Sequence, residues 1–166
     1  MRILPLFCLA LTACGEAPPA QKAQAAPPAT LPPGQWEVTR EVTKFTALDD
    51  GAPAIPAKVG DKTTASVCVA PGETAKPKPE LVGGNAADGC TYDSLYLSNG
   101  RLNAALACAP KGMRGKLFVS SSGTYTADGM ELTLSKSTQL SGTGDVRVDE
   151  KITGRLASPT CTSTPS

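Results

Sequence analysis

The sequence predicts a mainly β domain: an antiparallel meander of about seven strands, forming a curled open sheet or a small barrel, with at most one short helix. Two observations carry this reading. From Gly34 onward, successive segments alternate apolar and polar residues with period two, separated by Gly, Pro, Asn and Asp turn chemistry. In the one stretch with helical texture, Pro77 and Pro79 stop any helix beyond a turn or two.

The first strand runs from Gln35 to Thr43, with Trp36, Val38 and Val42 on the inward face. Residues 47–60 (ALDDGAPAIPAKVG) carry turn residues and two prolines and read as a loop. Lys62 to Val69 is the second strand. Pro71 to Gly89 is irregular, with room for one short helix near Pro71–Ala75.

Cys90 to Cys108 reads as a hairpin around Ser98-Asn99-Gly100. A two-residue Asn-Gly turn would pair Ser98 with Arg101, and the apolar sets would not meet. A three-residue loop, with Gly100 left-handed, pairs Leu97 with Arg101, Tyr96 with Leu102, Ser94 with Ala104 and Tyr92 with Leu106. It also sets Cys90 opposite Cys108. A one-residue slip moves every side chain to the other face, so the pattern favours this second register.

The chain continues as a meander. Leu117, Val119, Gly123 and Tyr125 share one face, and Asp128-Gly129 makes a tight turn. Met130, Leu132, Leu134 and Leu140 share the matching face, with Tyr125 expected opposite Leu132 and Leu117 opposite Leu140. After the turn at Ser141–Gly144, Val146, Val148, Ile152 and Leu156 lie inward on the last strand, with Arg147, Asp149, Lys151 and Arg155 outward. Glu150 breaks the inward pattern and marks a bulge, an edge or a polar interior.

Ahead of this domain, residues 1–14 read MRILPLFCLALTAC. Arg2 is a minimal positive region, and Ile3 to Leu11 is apolar but too short to cross a bilayer as a helix. Leu11-Thr12-Ala13-Cys14 resembles the lipobox of bacterial lipoproteins. That resemblance implies cleavage before Cys14, a lipid on its sulfur and an acylated new amine, with residues 1–13 as the signal peptide. Gly15, in place of an Asp, leans toward the outer membrane. Residues 15–33 are rich in Ala, Pro and Gln without apolar periodicity, and read as a tether between the lipidated Cys14 and a single β domain at 34–162, with 163–166 as a tail.

Charge narrows the partners. The 166 residues hold 16 Lys and Arg against 15 Asp and Glu, for a net charge of +1. Removing residues 1–13 takes away Arg2 and leaves 15 of each sign. The signs alternate without a basic patch, so nucleic acid is not an expected partner.

Besides Cys14, four cysteines remain after processing: Cys68, Cys90, Cys108 and Cys161. An even number in an exported chain points to disulfides. The hairpin register selects Cys90–Cys108, which leaves Cys68–Cys161. A four-thiolate metal site is the weaker reading, because such ligands come in close pairs and these are 22, 18 and 53 residues apart.

The landmarks form an ordered set: Gly34-Gln35-Trp36-Glu37-Val38-Thr39, Cys68-Val69-Ala70-Pro71, Cys90-Thr91-Tyr92-Asp93, an Asn-Gly hairpin returning to Cys108, Gly123-Thr124-Tyr125, Met130-Glu131-Leu132-Thr133, and Thr153-Gly154-Arg155-Leu156 before Cys161. In this order the chain resembles the proteobacterial domain-of-unknown-function family numbered 3617, over roughly residues 34–162. The resemblance implies an exported small β domain with paired cysteines, and brings no established activity or site residues. The Pro-rich segment 76–79 departs from the usual pattern.

Catalytic chemistry is hard to assemble. The chain has no His, which removes His-based triads and metal sites. Asp49-Asp50 sits in a Gly/Pro loop and reads as a solvated turn. Asp145, Asp149 and Glu150 read as surface partners of Arg147 and Lys151. Ser120-Ser121-Ser122 has no base to activate it. Gly112–Gly115 and Gly142–Gly144 precede no helix, so neither is a phosphate loop. Trp36, Tyr92 and Tyr96 read as core.

These readings make the protein a non-enzymatic, lipid-anchored envelope module facing the periplasm, bound to the membrane through Cys14, with no cofactor and no metal. Its partner is another envelope component. The alternative is a carrier of a small apolar ligand inside a lipocalin-like β-barrel, with Glu150, Ser94, Ala104 and Gly123 lining the cavity. A buried convergent group of Asp, Glu, Lys and Tyr would instead point to an enzyme.

Overall fold

A computed structural model describes residues 26–161. Seven antiparallel strands make one sheet: β1 (Gly34–Ala47), β2 (Lys62–Val69), β3 (Thr91–Ser98), β4 (Arg101–Cys108), β5 (Gly115–Tyr125), β6 (Gly129–Leu140) and β7 (Val146–Ser158). Their spatial order is β2-β1-β7-β6-β5-β4-β3. From β3 to β7 this is a meander, while β1 inserts between β2 and β7. The predicted mainly β architecture is therefore present. The sheet is open: β2 and β3 are its two edges, and the barrel alternative is corrected.

One face is packed and the other is polar, as the alternation requires. The packed face carries Trp36, Val38, Leu102, Leu106, Val119, Tyr125, Leu132 and Ile152, all essentially buried. The other carries rows of Thr and Ser with surface ion pairs such as Arg155–Glu37 at 3.2 Å and Lys62–Glu41 at 3.2 Å. Thr63 and Ala65 of one edge line the same cavity as Cys90 beside the other, so the sheet curls until its edges approach. The β2–β3 connection crosses that gap as a strap. It holds three single-turn 3₁₀ segments, Pro71–Glu73, Pro79–Val82 and Ala86–Asp88, instead of the one short helix expected.

Two registers differ from expectation. The β3–β4 hairpin turns on two residues, with Ser98 opposite Arg101 and Leu97 opposite Leu102. Asn99 (φ 49°) and Gly100 (φ 75°) are both left-handed, the conformation an Asn-Gly pair favours in a two-residue turn. A bulge at Asp93 then absorbs the one-residue difference, so Tyr92 still faces Leu106. Tyr96 and Ser94 consequently point to solvent, against the expected core and cavity-lining roles. The β5–β6 register is also displaced: Tyr125 faces Met130 and Gly123 faces Leu132. That shift is by two residues, which leaves every side chain on its face and is invisible to an alternation pattern.

The Ala/Pro-rich segment is not all tether. Leu31 is fully buried, Trp36 Nε1 donates to Pro32 O at 3.1 Å and Tyr125 Oη donates to Ala29 O at 3.1 Å. Gly100 N donates to Pro28 O at 3.2 Å. Residues 27–33 thus form an arm across one end of the packed face. A single anchoring leucine has no period, which is why the alternation reading ended at Gly34.

Both expected disulfides are formed, Cys68–Cys161 and Cys90–Cys108. Cys14 and its lipid, the signal peptide and residues 163–166 lie outside the described residues.

Candidate functional site

Following the inward phase of β1, β6 and β7 past their apolar residues leads to three charges. On β1 the inward set is Trp36, Val38, Arg40, Val42; on β6 it is Leu132, Leu134, Lys136, Thr138; on β7 it is Val148, Glu150, Ile152. The registers make these charges diagonal neighbours, with Arg40 opposite Ile152, Val42 and Leu134 opposite Glu150, and Lys136 opposite Val148. A bulge at Thr43 lies next to the Val42–Glu150 pair. Glu150 is therefore a polar interior residue, and its reading as a surface partner of Arg147 and Lys151 is corrected. Those two pair instead with Asp149 at 3.0 Å and Glu131 at 3.8 Å.

The cluster is tightly connected. Lys136 Nζ donates to Glu150 Oε1 at 2.6 Å, with Glu150 only 7% exposed. Arg40 reaches up to the strap and donates to the carbonyls of Glu80 (2.6 Å), Gly84 (2.9 Å) and Gly83 (3.3 Å). It closes the end of the Pro79–Val82 turn, satisfying carbonyls that the short segment leaves open. Burial lowers the Arg40 pKa from its ordinary value, opposed by the carboxylates of Glu150 and Glu80. Gly83 permits this approach: its φ is 105°, and a Cβ there would lie 1.7 Å from Leu134 Cδ1.

Tyr92 extends the cluster along the strap. Its hydroxyl donates to Pro77 O at 2.9 Å. Burial, reinforced by the Glu80 carboxylate, raises the phenol well above its ordinary pKa.

Between sheet and strap lies a cavity of about 440 Å³. Val38, Ile55, Met113, Leu117, Val119 and the Cys90–Cys108 bridge supply apolar wall; Arg40, Glu80, Asp88 and Lys136 supply charge. Glu80 Oε2 and Glu150 Oε2 are buried without a hydrogen-bond partner among the described residues. An unsatisfied buried acceptor costs about 1–3 kcal/mol, so such atoms call for a reason. Ser121 Oγ, in the middle of the packed face, is a third. The polar face bears a wider, shallower trough of about 770 Å³ with Ser120, Ser122, Thr133 and Ser135 on its floor.

Arg40 and Lys136 both stand in an inward phase, and a charge in that phase is the sequence signal for this cluster. Glu80, in an irregular strap, carried none. Ala104 is buried in the main apolar cluster and Gly123 is closed against the Leu132 backbone, so neither lines the cavity expected of a carrier. Asp49 also departs from the solvated-turn reading. Its carboxylate accepts from Gly51 N (2.7 Å), Gly144 N (2.8 Å) and Asp145 N (2.9 Å), tying the β1–β2 loop to the β6–β7 turn. These backbone donors, chiefly Asp145, hold its pKa below the usual value.

A family of proteins of unknown function, DUF3617, matches residues 31–161. The chain belongs to that family. The match begins at Leu31, the anchor of the arm, and ends at Cys161 of the second disulfide. No curated protein and no solved structure matches this DUF3617 chain.

Proposed function

We propose that this DUF3617 protein is a lipid-anchored module of the bacterial envelope that faces the periplasm and binds a small molecule between its sheet and strap without chemically altering it. The observation that carries the binding role is the cavity itself: largely apolar walls with a few converging polar groups, one of which, Glu80, has a buried carboxylate oxygen without a partner among the described residues. Two disulfides in a small domain support an oxidising compartment, and the lipobox-like Leu11–Cys14 supports the anchor. The charged lining argues for a polar ligand rather than the purely apolar one of a lipocalin-like carrier. Glu80, Glu150, Lys136 and Tyr92 do converge, the pattern set out above for an enzyme; the non-catalytic reading rests instead on a chain without His whose cavity cations already hold strap carbonyls and Glu150.

The anchor is tested by Cys14→Ser. The variant should move from the membrane to the soluble periplasmic fraction, and continued membrane fractionation would overturn lipidation. The binding role is tested by native mass measurement after mild detergent extraction. A bound species beyond the acyl chains supports it, and a mass equal to the lipidated, twice-bridged chain counts against it.

A further inference from the structure

Resting on the cavity reading above, we infer that the ligand is a small neutral molecule with an apolar body and a hydroxyl group, the hydroxyl donating to Glu80 and accepting from Lys136.

The polar groups of the lining differ in what each still lacks. Arg40 commits three of its five N–H donors to the strap carbonyls of Glu80, Gly83 and Gly84. Lys136 gives one of its three N–H bonds, to Glu150 Oε1. Glu80 Oε2 receives none. The cavity therefore offers an unused acceptor and unused donors on its lining. An anion entering would meet the Glu80 carboxylate, and a cation would meet Arg40 and Lys136. The lining carries two cations, Arg40 and Lys136, and two carboxylates, Glu80 and Asp88, so an ion of either sign meets like charge there. A hydroxyl is one donor and two acceptors in a single neutral group, which is the complement of what is unused. Apart from Thr63, Asn85 and Asp88, the remaining wall is mainly aliphatic and sulfur, fit for a hydrocarbon or aromatic body. At about 440 Å³ the cavity lies toward the small end of ligand pockets.

The test uses the full chain carrying Cys14→Ser, so that it does not depend on lipidation, with both disulfides confirmed. The probes are 1-naphthol and 1-methylnaphthalene, of matched shape, titrated while backbone amide shifts are followed by NMR. Naphthol should shift the Gly83 and Gly84 amides saturably and bind at least tenfold more tightly than the methyl analogue. Glu80→Gln should reduce naphthol affinity about tenfold, while Glu37→Gln on the polar face should leave it unchanged. Ala65→Phe, which fills the cavity from the β2 edge, should abolish binding and serves if the Glu80 variant does not fold. Equal binding of both probes at the cavity would overturn the hydroxyl inference and leave the binding role standing. Absence of shifts with either probe would overturn both, and the unpaired oxygens would then be sites for water alone.

Discussion

The packed face of the sheet has two ends built on different principles. At one end Trp36 and Tyr125 are buried against the 27–33 arm, whose own Leu31 is fully buried, and the Cys68–Cys161 bridge closes the border. At the other, Arg40, Lys136 and Glu150 stand in the same inward phase, the strap arches over them, and the Cys90–Cys108 bridge lines a cavity. Beyond these charges a small apolar cluster of Val42, Val146 and Val148 resumes. One sheet thus supplies a filled core and an open one, and the difference lies in a single inward position on each of three adjacent strands. The filled end carries stability; the charged end gives some of it up to keep polar groups in a cavity.

Breaking each end separately sharpens the contrast. The largest effect is expected from replacing Cys68 and Cys161 by Ser. Their separation of 93 residues gives a loop-closure contribution of about 5 kcal/mol, against about 3 kcal/mol for the 18-residue separation of Cys90 and Cys108. Denaturant unfolding of the two double variants should preserve that order; equal losses would show that chain entropy is not what the bridges supply.

Next comes the buried ion pair. Lys136→Met alone should cost about 3 kcal/mol, because it strands the Glu150 carboxylate in an apolar setting. Adding Glu150→Leu should recover most of that loss. A double variant as unstable as the single one would mean the pair is a net contributor and the charged end is not a sacrifice.

Leu31→Ala should cost about 2–3 kcal/mol, comparable to other buried leucines. A loss near zero would return the arm to being a tether and remove half of the comparison. The smallest effect belongs to Asp49, outside both ends. Its pKa is depressed by backbone donors, so its contribution is present above the ordinary carboxylate pKa of about 4 and fades as pH falls through the lower folded value. Thermal melts of Asp49→Asn and the parent chain should therefore differ most near neutrality and converge in acid.

Much of the filled end was legible. Trp36, Val38, Leu132 and Ile152 fell into place by alternation, because burying one side of a pleated sheet imposes period two on the residues themselves. The even-numbered spacing that sets Cys90 against Cys108 survived a wrong turn type only because the Asp93 bulge restored it. The charged end was half legible: Glu150 was marked as an interruption, but its partner Lys136 sits 14 residues away on the neighbouring strand, and Arg40 meets Glu80 only through the strap.

By itself, then, the sequence determined the class of fold, the strands, the inward faces outside β3 and the Cys90–Cys108 pairing, since these follow from local periodicity and from neighbours along a meander; Cys68–Cys161 followed by elimination. Only the tertiary structure decided that the sheet stays open, that an arm of prolines seals one end, and that Arg40, Glu80, Lys136 and Glu150 converge at the other. Those outcomes depend on contacts between segments far apart in the chain, whose energies come from desolvation and hydrogen bonding across the fold and leave no period in the sequence.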